Sequence, residues 1–189
     1  MRIIGGTFKG IKIFEAFDKN TRPLKDLVKE SILNILEHSK DYKINLNNSS
    51  VLDLFAGTGS FGLECVSRGS SKVYFVENYP QSIEILEKNI KKLSCEKTTR
   101  IFNEDVFNFF KNEELKNKKM DIIFLDPPYR EENVRLILES ISKLKLLKNN
   151  GLIVLHRHKK SKDNINDKFN IIRSVKYGIS KIIFIKLTE

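Results

Sequence analysis

The stretch Val51-Leu52-Asp53-Leu54-Phe55-Ala56-Gly57-Thr58-Gly59-Ser60-Phe61-Gly62 decides the fold. Its first four residues are apolar apart from Asp53, a run suited to a buried strand. The run ends in glycines spaced Gly57-x-Gly59-x-x-Gly62, and Gly59 to Arg68 then reads as a helix stopped by Gly69. Glycines let the backbone turn sharply and approach a ligand with no Cβ in the way. The spacing is a weak signal on its own. Glu77, twenty positions after Gly57 at the end of the next apolar run, strengthens it. A carboxylate there accepts hydrogen bonds from both ribose hydroxyls, so the turn is expected to bind a nucleoside.

Downstream, strand and helix patterns alternate. Val73-Tyr74-Phe75-Val76, Arg100-Ile101-Phe102, Asp121 to Leu125 and Leu152 to Leu155 are strand-like. Between them, Pro80 opens a helix carrying Ile83, Leu86, Ile90 and Leu93 on one face, and Val134 to Leu144 is helical. Phe169 to Lys176 and Ile179 to Leu187 join through Tyr177-Gly178 with no helix between, which predicts an antiparallel closing hairpin. Upstream, Arg2-Ile3-Ile4 and Ile11 to Phe14 flank Gly5-Gly6 and Gly10 like a hairpin. After Thr21-Arg22-Pro23, the apolar spacing of Leu24, Leu27, Val28, Ile32, Leu33 and Leu36 predicts an amphipathic helix. Lys40 to Ser50 is polar and Asn-rich and reads as a linker. The expected fold is α/β and Rossmann-like, a mostly parallel seven-stranded sheet with helices on both faces. Residues 1–48 form an N-terminal hairpin-and-helix extension and 49–189 the nucleotide-binding domain.

Ligands of such sheets collect beyond the carboxyl ends of the strands. There, Asp53 separates two cofactor classes. A carboxylate beside a phosphate cradle repels pyrophosphate, whereas it attracts a sulfonium ligand bearing an α-ammonium group. The alternative is a plain turn or capping aspartate. Asp105, after the third strand, is placed to accept from an adenine amino group while the Val106 N–H donates to a ring nitrogen; capping a helix from Val106 to Phe110 is the competing use. The expected S-adenosylmethionine contacts are Asp53, Phe55, Gly57, Thr58, Gly59, Glu77, Asn78, Asp105 and Val106.

The fourth strand ends in Asp126-Pro127-Pro128-Tyr129. This tetrapeptide resembles the (Asp/Asn)-Pro-Pro-(Tyr/Phe) signature of class I S-adenosylmethionine-dependent methyltransferases acting on exocyclic base amines. An aryl amine is a poor nucleophile because its lone pair is delocalised into the ring. The Asp126 carboxylate and the Pro127 carbonyl each accept one of its N–H groups, orient the lone pair and stabilise charge developing on nitrogen. Pro127 and Pro128 stiffen the loop, and Tyr129 offers a face on which an extruded base stacks.

Arg2-Ile3-Ile4-Gly5-Gly6 with Gly10, then Arg22-Pro23 with Asp26, Val28 and Glu30, resembles the N-terminus of the bacterial RsmD family. The Asp53 to Gly59 turn, Gly62-Leu63-Glu64, Ser67-Arg68-Gly69, the Asp-Pro-Pro-Tyr loop and Tyr177-Gly178 are similar to the same family, so the likeness runs almost end to end. Leu24 and Leu27 stand where that family usually has Thr and Arg, and Lys29 replaces another Arg. The resemblance implies methylation of a guanine N2 amine in 16S ribosomal RNA, guanine-966 in the family. It implies the small ribosomal subunit as partner, a monomer, and a cytoplasmic location. In family terms, the N-terminal extension covers the cofactor and approaches RNA. Arg2, Lys9, Lys12, Arg22 and Lys25 are the expected phosphate contacts, Arg22 foremost. Adenine-N6 or cytosine-N4 methylation shares the tetrapeptide, but no added target-recognition domain is visible. A non-catalytic nucleic-acid-binding protein predicts a broken tetrapeptide or blocked turn. A nicotinamide oxidoreductase needs an acid/base where the Pro-Pro loop sits.

Composition agrees with this reading. The chain has 189 residues, a net charge of +10 and a pI near 9.5, which suit a polyanionic partner. A 40% hydrophobic share excludes wholesale disorder. No apolar run approaches the roughly 18 residues of a membrane span, and MRIIGG has no secretory pattern. Cys65 and Cys95 form no disulfide framework and suggest a reducing compartment. His156-x-His158 lacks a third ligand, so no metal is expected. Phe107, Phe109 and Phe110 are expected between helix and sheet.

Overall fold

The apolar runs become strands because every second residue has a core to enter. In the computed structural model, which describes residues 1–16, 24–40, 42, 44–115, 117–128 and 130–188, seven strands form one sheet. They are β1 (Ser50–Leu54), β2 (Lys72–Glu77), β3 (Thr99–Asn103), β4 (Met120–Leu125), β5 (Leu147–His158), β6 (Phe169–Tyr177) and β7 (Ser180–Leu187). Their order is β3-β2-β1-β4-β5-β7-β6. The pairs from β3 to β5 are parallel, and β7 runs antiparallel to both β5 and β6. The expected mostly parallel sheet with a closing hairpin is what forms. The chain winds outward from β1 through β2 to β3, then returns to β4 on the other side of β1. That reversal opens a crevice beyond the carboxyl ends of β1 and β4.

The period of two sorts the strand residues into two cores. Val51, Phe75, Ile122, Phe124, Val154 and Phe184 face α1 (Asp26–His38), α2 (Ser60–Ser67) and α3 (Pro80–Lys92). Leu52, Leu54, Ile123, Leu125, Ile153 and Ile183 face α4 (Val106–Phe109) and α5 (Val134–Lys143). Phe109 and Phe110 are buried in the second core and Phe107 packs against it, as expected.

Three segments differ from the sequence reading. Residues 40–50, read as a linker, pack closely: Tyr42, Ile44 and Leu46 are buried, and the Tyr42 ring lies 6.0 Å from that of Phe184. Apolar residues alternate there with polar ones, and the apolar ones are buried. The N-terminal hairpin is tighter than two strands; a single Arg2–Lys12 bridge holds it, with Ile3 N–H donating to Ile11 and Ile13 N–H to Met1. Strand β5 continues three residues past Leu155, because His156, Arg157 and His158 keep pairing with Ile182, Lys181 and Ser180 of β7. Thr21 and Pro23, expected at the start of α1, lie outside the described residues; the helix begins at Asp26.

A buried ion cluster fastens the N-terminal segment to the sheet's helices. Glu64 and Lys29 have fully buried side chains 3.4 Å apart. The Glu64 carboxylate accepts the Ile4 and Gly5 N–H groups at 2.8 and 2.7 Å and pairs with Arg68 at 3.3 Å. Lys29 Nζ also donates to the Arg2 carbonyl at 3.0 Å. Lys29 thus joins hairpin, α1 and α2 in one network.

Gly62 sets how closely α2 sits on the sheet. A Cβ there would lie 2.2 Å from the Phe75 ring. Gly62→Ala is expected to cost about 1–3 kcal/mol through overpacking, read as a lower denaturation midpoint at constant m.

Candidate active site

A cavity of about 380 Å³ fills the crevice, within the range of small-molecule sites. Strand ends supply its polar groups: Asp53 from β1, Glu77 from β2, Asp126 from β4 and His156 from β5. Phe61 and Phe124, stacked at 4.0 Å, help line it, and Met1 and Leu24 reach it from the N-terminal segment. Three carboxylates line this cavity and, among the described residues, no Lys or Arg does. On a chain of net charge +10, that is a local inversion of sign.

The turn after β1 is built residue by residue. Phe55 adopts a φ of 62°, a left-handed backbone costing a bulky residue about 1–3 kcal/mol, and it sits at the cavity wall. Gly57 has a φ of 55° and nothing within 4 Å of where a Cβ would be, so it leaves the wall open. Gly59, at φ 86°, is different: a Cβ there would lie 2.4 Å from Leu86, and the residue does not line the cavity. Its glycine serves the start of α2 and the packing of α3. Thr58 lines the cavity, and its carbonyl accepts from the buried Asn89 at 3.0 Å.

Asp53 makes the capping-type bond weighed for it and also lines the cavity. It is 1% exposed, and Oδ2 accepts the Gly62 N–H in the first turn of α2 at 2.9 Å while the residue lines the cavity. The carboxylate thus stands at the helix N-terminus where a pyrophosphate would bind. Burial pushes its carboxyl well above the ordinary range; the Gly62 N–H opposes this, and the Asp126 and Glu77 charges add to it. A carboxyl raised in this way stays protonated to higher pH, and it attracts an ammonium group only once ionised. Affinity for a sulfonium amino-acid ligand is therefore expected to rise with pH, with proton release on binding. Calorimetry in buffers of different ionisation enthalpy measures this, and Asp53→Asn abolishes the dependence.

Glu77 is held by three backbone donors, Gly57 N–H at 2.7 Å and the Asn78 and Tyr79 N–H groups at 2.9 Å. Asn78 lines the same cavity. Asp105 caps α4 by accepting from Phe107 at 2.8 Å. With Val106 it lines a smaller cavity of about 20 Å³, whose other walls include Phe55, Glu77 and Asn78 of the main one. The two cavities share a rim.

Beyond β4, the Asp126 N–H donates to the Leu54 carbonyl at 3.3 Å, tying the loop to β1. Pro127 and Pro128 line the cavity; Tyr129 lies outside the described residues. Two residues missed from the sequence hold this loop. His156 Nδ1 is 2.7 Å from Asp126 Oδ1 and Nε2 is 2.9 Å from Ser180 Oγ. Arg157 donates to the Pro128 carbonyl at 3.0 Å, to the Glu131 carbonyl at 2.8 Å and to Asp163 at 2.8 Å. Their only signal in sequence is a position just after an apolar run, since the run itself ends at Leu155.

Of the expected RNA contacts, Arg2, Lys9, Lys12 and Lys25 are exposed, and Arg22 lies outside the described residues. Lys25 adjoins the cavity-lining Leu24. Lys9 is at the hairpin tip, where Phe8 N–H bonds Ser67 Oγ. That is the far end of α2 from the cavity, about 12 Å for its eight residues. The cysteines are inert: burial pushes the Cys65 thiol well up and that of Cys95 to about 11. Among the described residues no group of three or more His, Cys, Asp or Glu could hold a metal ion.

The family described as "Conserved hypothetical protein 95" matches residues 1–186. A Bacillus subtilis relative, YlbH, is 30% identical over 98% of each chain. "Ribosomal RNA small subunit methyltransferase D" of Buchnera aphidicola is 34% identical over 84% of this chain and 78% of its own. A solved Escherichia coli structure, at 23% identity, covers 99% of this chain and 97% of its own with a TM-score of 0.82, so the two share a fold. The chain accordingly belongs to the Conserved hypothetical protein 95 family, the RsmD family to which the small-subunit methyltransferase D proteins belong.

Proposed function

We propose that this protein transfers a methyl group from S-adenosylmethionine to the exocyclic N2 amine of a guanine in the 16S RNA of the small ribosomal subunit. The coarser activity, S-adenosylmethionine-dependent methylation of ribosomal RNA, agrees with the activity named for its relatives. The observation that carries the reading is a carboxylate-lined cavity beside an Asp-Pro-Pro loop on an otherwise basic chain. The residues fit a cationic nucleoside and not a pyrophosphate. Asp53 holds the α-ammonium group, Glu77 the ribose hydroxyls, and Asp105 with the Val106 N–H the adenine edge. The chemistry the cofactor supplies when bound is a methyl on a cationic sulfur: an N–C bond forms, the C–S pair stays on sulfur, and the excess proton on nitrogen is released to solvent.

Asp126 and the Pro127 carbonyl accept the two amine N–H groups and aim the lone pair. The Pro128 carbonyl has a different task, taken by Arg157 and the Glu131 N–H. Residues 1–48 cover the cavity through Met1 and Leu24, and Arg2, Lys12, Lys25 and Arg22 meet phosphates. The deciding experiment offers labelled S-adenosylmethionine with naked 16S RNA, with protein-bearing small subunits and with DNA, then digests the products to nucleosides. Label in N2-methylguanosine from RNA, weakening steeply with salt, is the expected result. Label in N6-methyladenine or N4-methylcytosine overturns it.

A further inference from the structure

The ring of His156 is 5% exposed and is held at both nitrogens, by Asp126 Oδ1 and Ser180 Oγ. Among the described residues it is the one side chain that reaches the Asp126 carboxylate within hydrogen-bond distance. Where the carboxylate is ionised it only accepts, so Nδ1 carries the hydrogen; in the neutral ring Nε2 is then the acceptor, and the Ser180 hydroxyl donates to it.

We propose that His156, fixed in its Nδ1–H tautomer by Ser180, is a positioning residue for methyl transfer: it ties down Asp126 Oδ1 and leaves Oδ2 as the carboxylate oxygen that accepts from the base amine. The inference rests on Asp126 being the amine acceptor. One oxygen from the carboxylate and one from Pro127 then match the two N–H groups of the amine, and the carboxylate cannot swing to present both of its own. Serine hydrolases use the same carboxylate–imidazole–hydroxyl order. Here the direction of use is reversed. Ser180 is 3% exposed, so no substrate reaches it as a nucleophile, and the carboxylate is the end that opens to the cavity.

The surroundings leave His156 this task. From β1 and β2, Asp53 and Glu77 share the cavity with it. From its own strand, the guanidinium of Arg157 is spent on Asp163, Pro128 and Glu131. On β7, Lys181 donates to the Ser161 carbonyl and lies 3.9 Å from Asp163. No Lys or Arg contacts Asp126 among the described residues.

Nitrogen-15 spectra of the imidazoles test the tautomer on the free protein. With three histidines in the chain, His156 is assigned by comparison with His156→Asn. In buffer where the ring is neutral, the expected spectrum shows the proton on Nδ1, and Ser180→Ala weakens that preference; a neutral ring protonated at Nε2 overturns the proposal. Kinetics supply the second test. His156→Leu removes the donor and is expected to lower kcat about 10- to 10²-fold at unchanged cofactor affinity, with the acid limb of the rate profile moved to higher pH. His156→Asn keeps an N–H at the Nδ1 position and restores most of the rate and the native limb. Equal losses in both variants with an unmoved acid limb reduce His156 to packing and sink the idea. If the native protein methylates none of the offered nucleic acids, the proposed function fails, and the imidazole spectrum still judges the tautomer separately.

Discussion

Replacing Asp126 by alanine lowers kcat for methyl transfer by about 10²-fold or more while leaving S-adenosylmethionine affinity near its native value. The size follows from the job. A carboxylate oxygen aimed at a nitrogen that turns cationic acts where charge develops, and loss of one such contact costs about 2.7–4 kcal/mol of barrier. Cofactor affinity is spared because Asp53 and Glu77, on other strands, supply the contacts assigned to it. Single-turnover rates on small subunits, with cofactor binding followed by calorimetry, separate the two quantities. A loss under tenfold rules out the acceptor role, and an equal fall in affinity moves Asp126 into the cofactor site. Asp126→Asn retains one oxygen but lacks the charge, so it is expected to fall between native protein and alanine.

Glu64→Ala is the variant with the largest expected effect on stability, a loss of about 3–5 kcal/mol. It strips four groups of an acceptor at once: the Ile4 N–H, the Gly5 N–H, the buried Lys29 ammonium and the Arg68 guanidinium. For a chain of this size each kcal/mol lowers Tm by about 2–4 °C, so a clear fall is expected in thermal scans. The double variant Glu64→Leu with Lys29→Met removes both charges and is expected to recover the part of that loss due to the unpaired ammonium, while the Ile4 and Gly5 N–H groups still lack their acceptor. If the double variant is as unstable as the two single losses summed, the uncompensated ammonium is not the cause. Because the cluster fastens the hairpin that ends beside the cavity, Glu64→Ala also loosens Met1 and weakens cofactor binding.

These two residues were unequally legible. Asp126 announces itself as an acidic residue before two prolines at a strand end, a local pattern with chemistry attached. Glu64 stands in the sequence only as part of the family-like Gly62-Leu63-Glu64, and Lys29 only as a substitute for arginine, with no chemistry attached to either. Only the approach of α1 and the hairpin to α2 shows that both side chains are fully buried and need each other. His156 and Arg157 were hidden for a related reason. Polar side chains ended the apolar run at Leu155, whereas the backbone pairing with β7 carried the strand on to His158. Residues 42–46 went the other way: asparagines masked a period of two that buries Tyr42, Ile44 and Leu46.

The sequence by itself determined the order of strands and helices, the closing antiparallel hairpin, the glycine turn and the strand ends on which Asp53, Glu77 and Asp126 sit. All of these follow from interactions between near neighbours: alternation, turn chemistry and the backbone freedom of glycine. The tertiary structure alone decided what touches those residues. His156 meets Asp126 across 30 positions and Ser180 across 24, and Glu64 meets the hairpin across 60. Such pairings are set by which strands lie side by side and how far they extend. A hydrogen bond between distant side chains leaves no periodic trace in either segment that makes it.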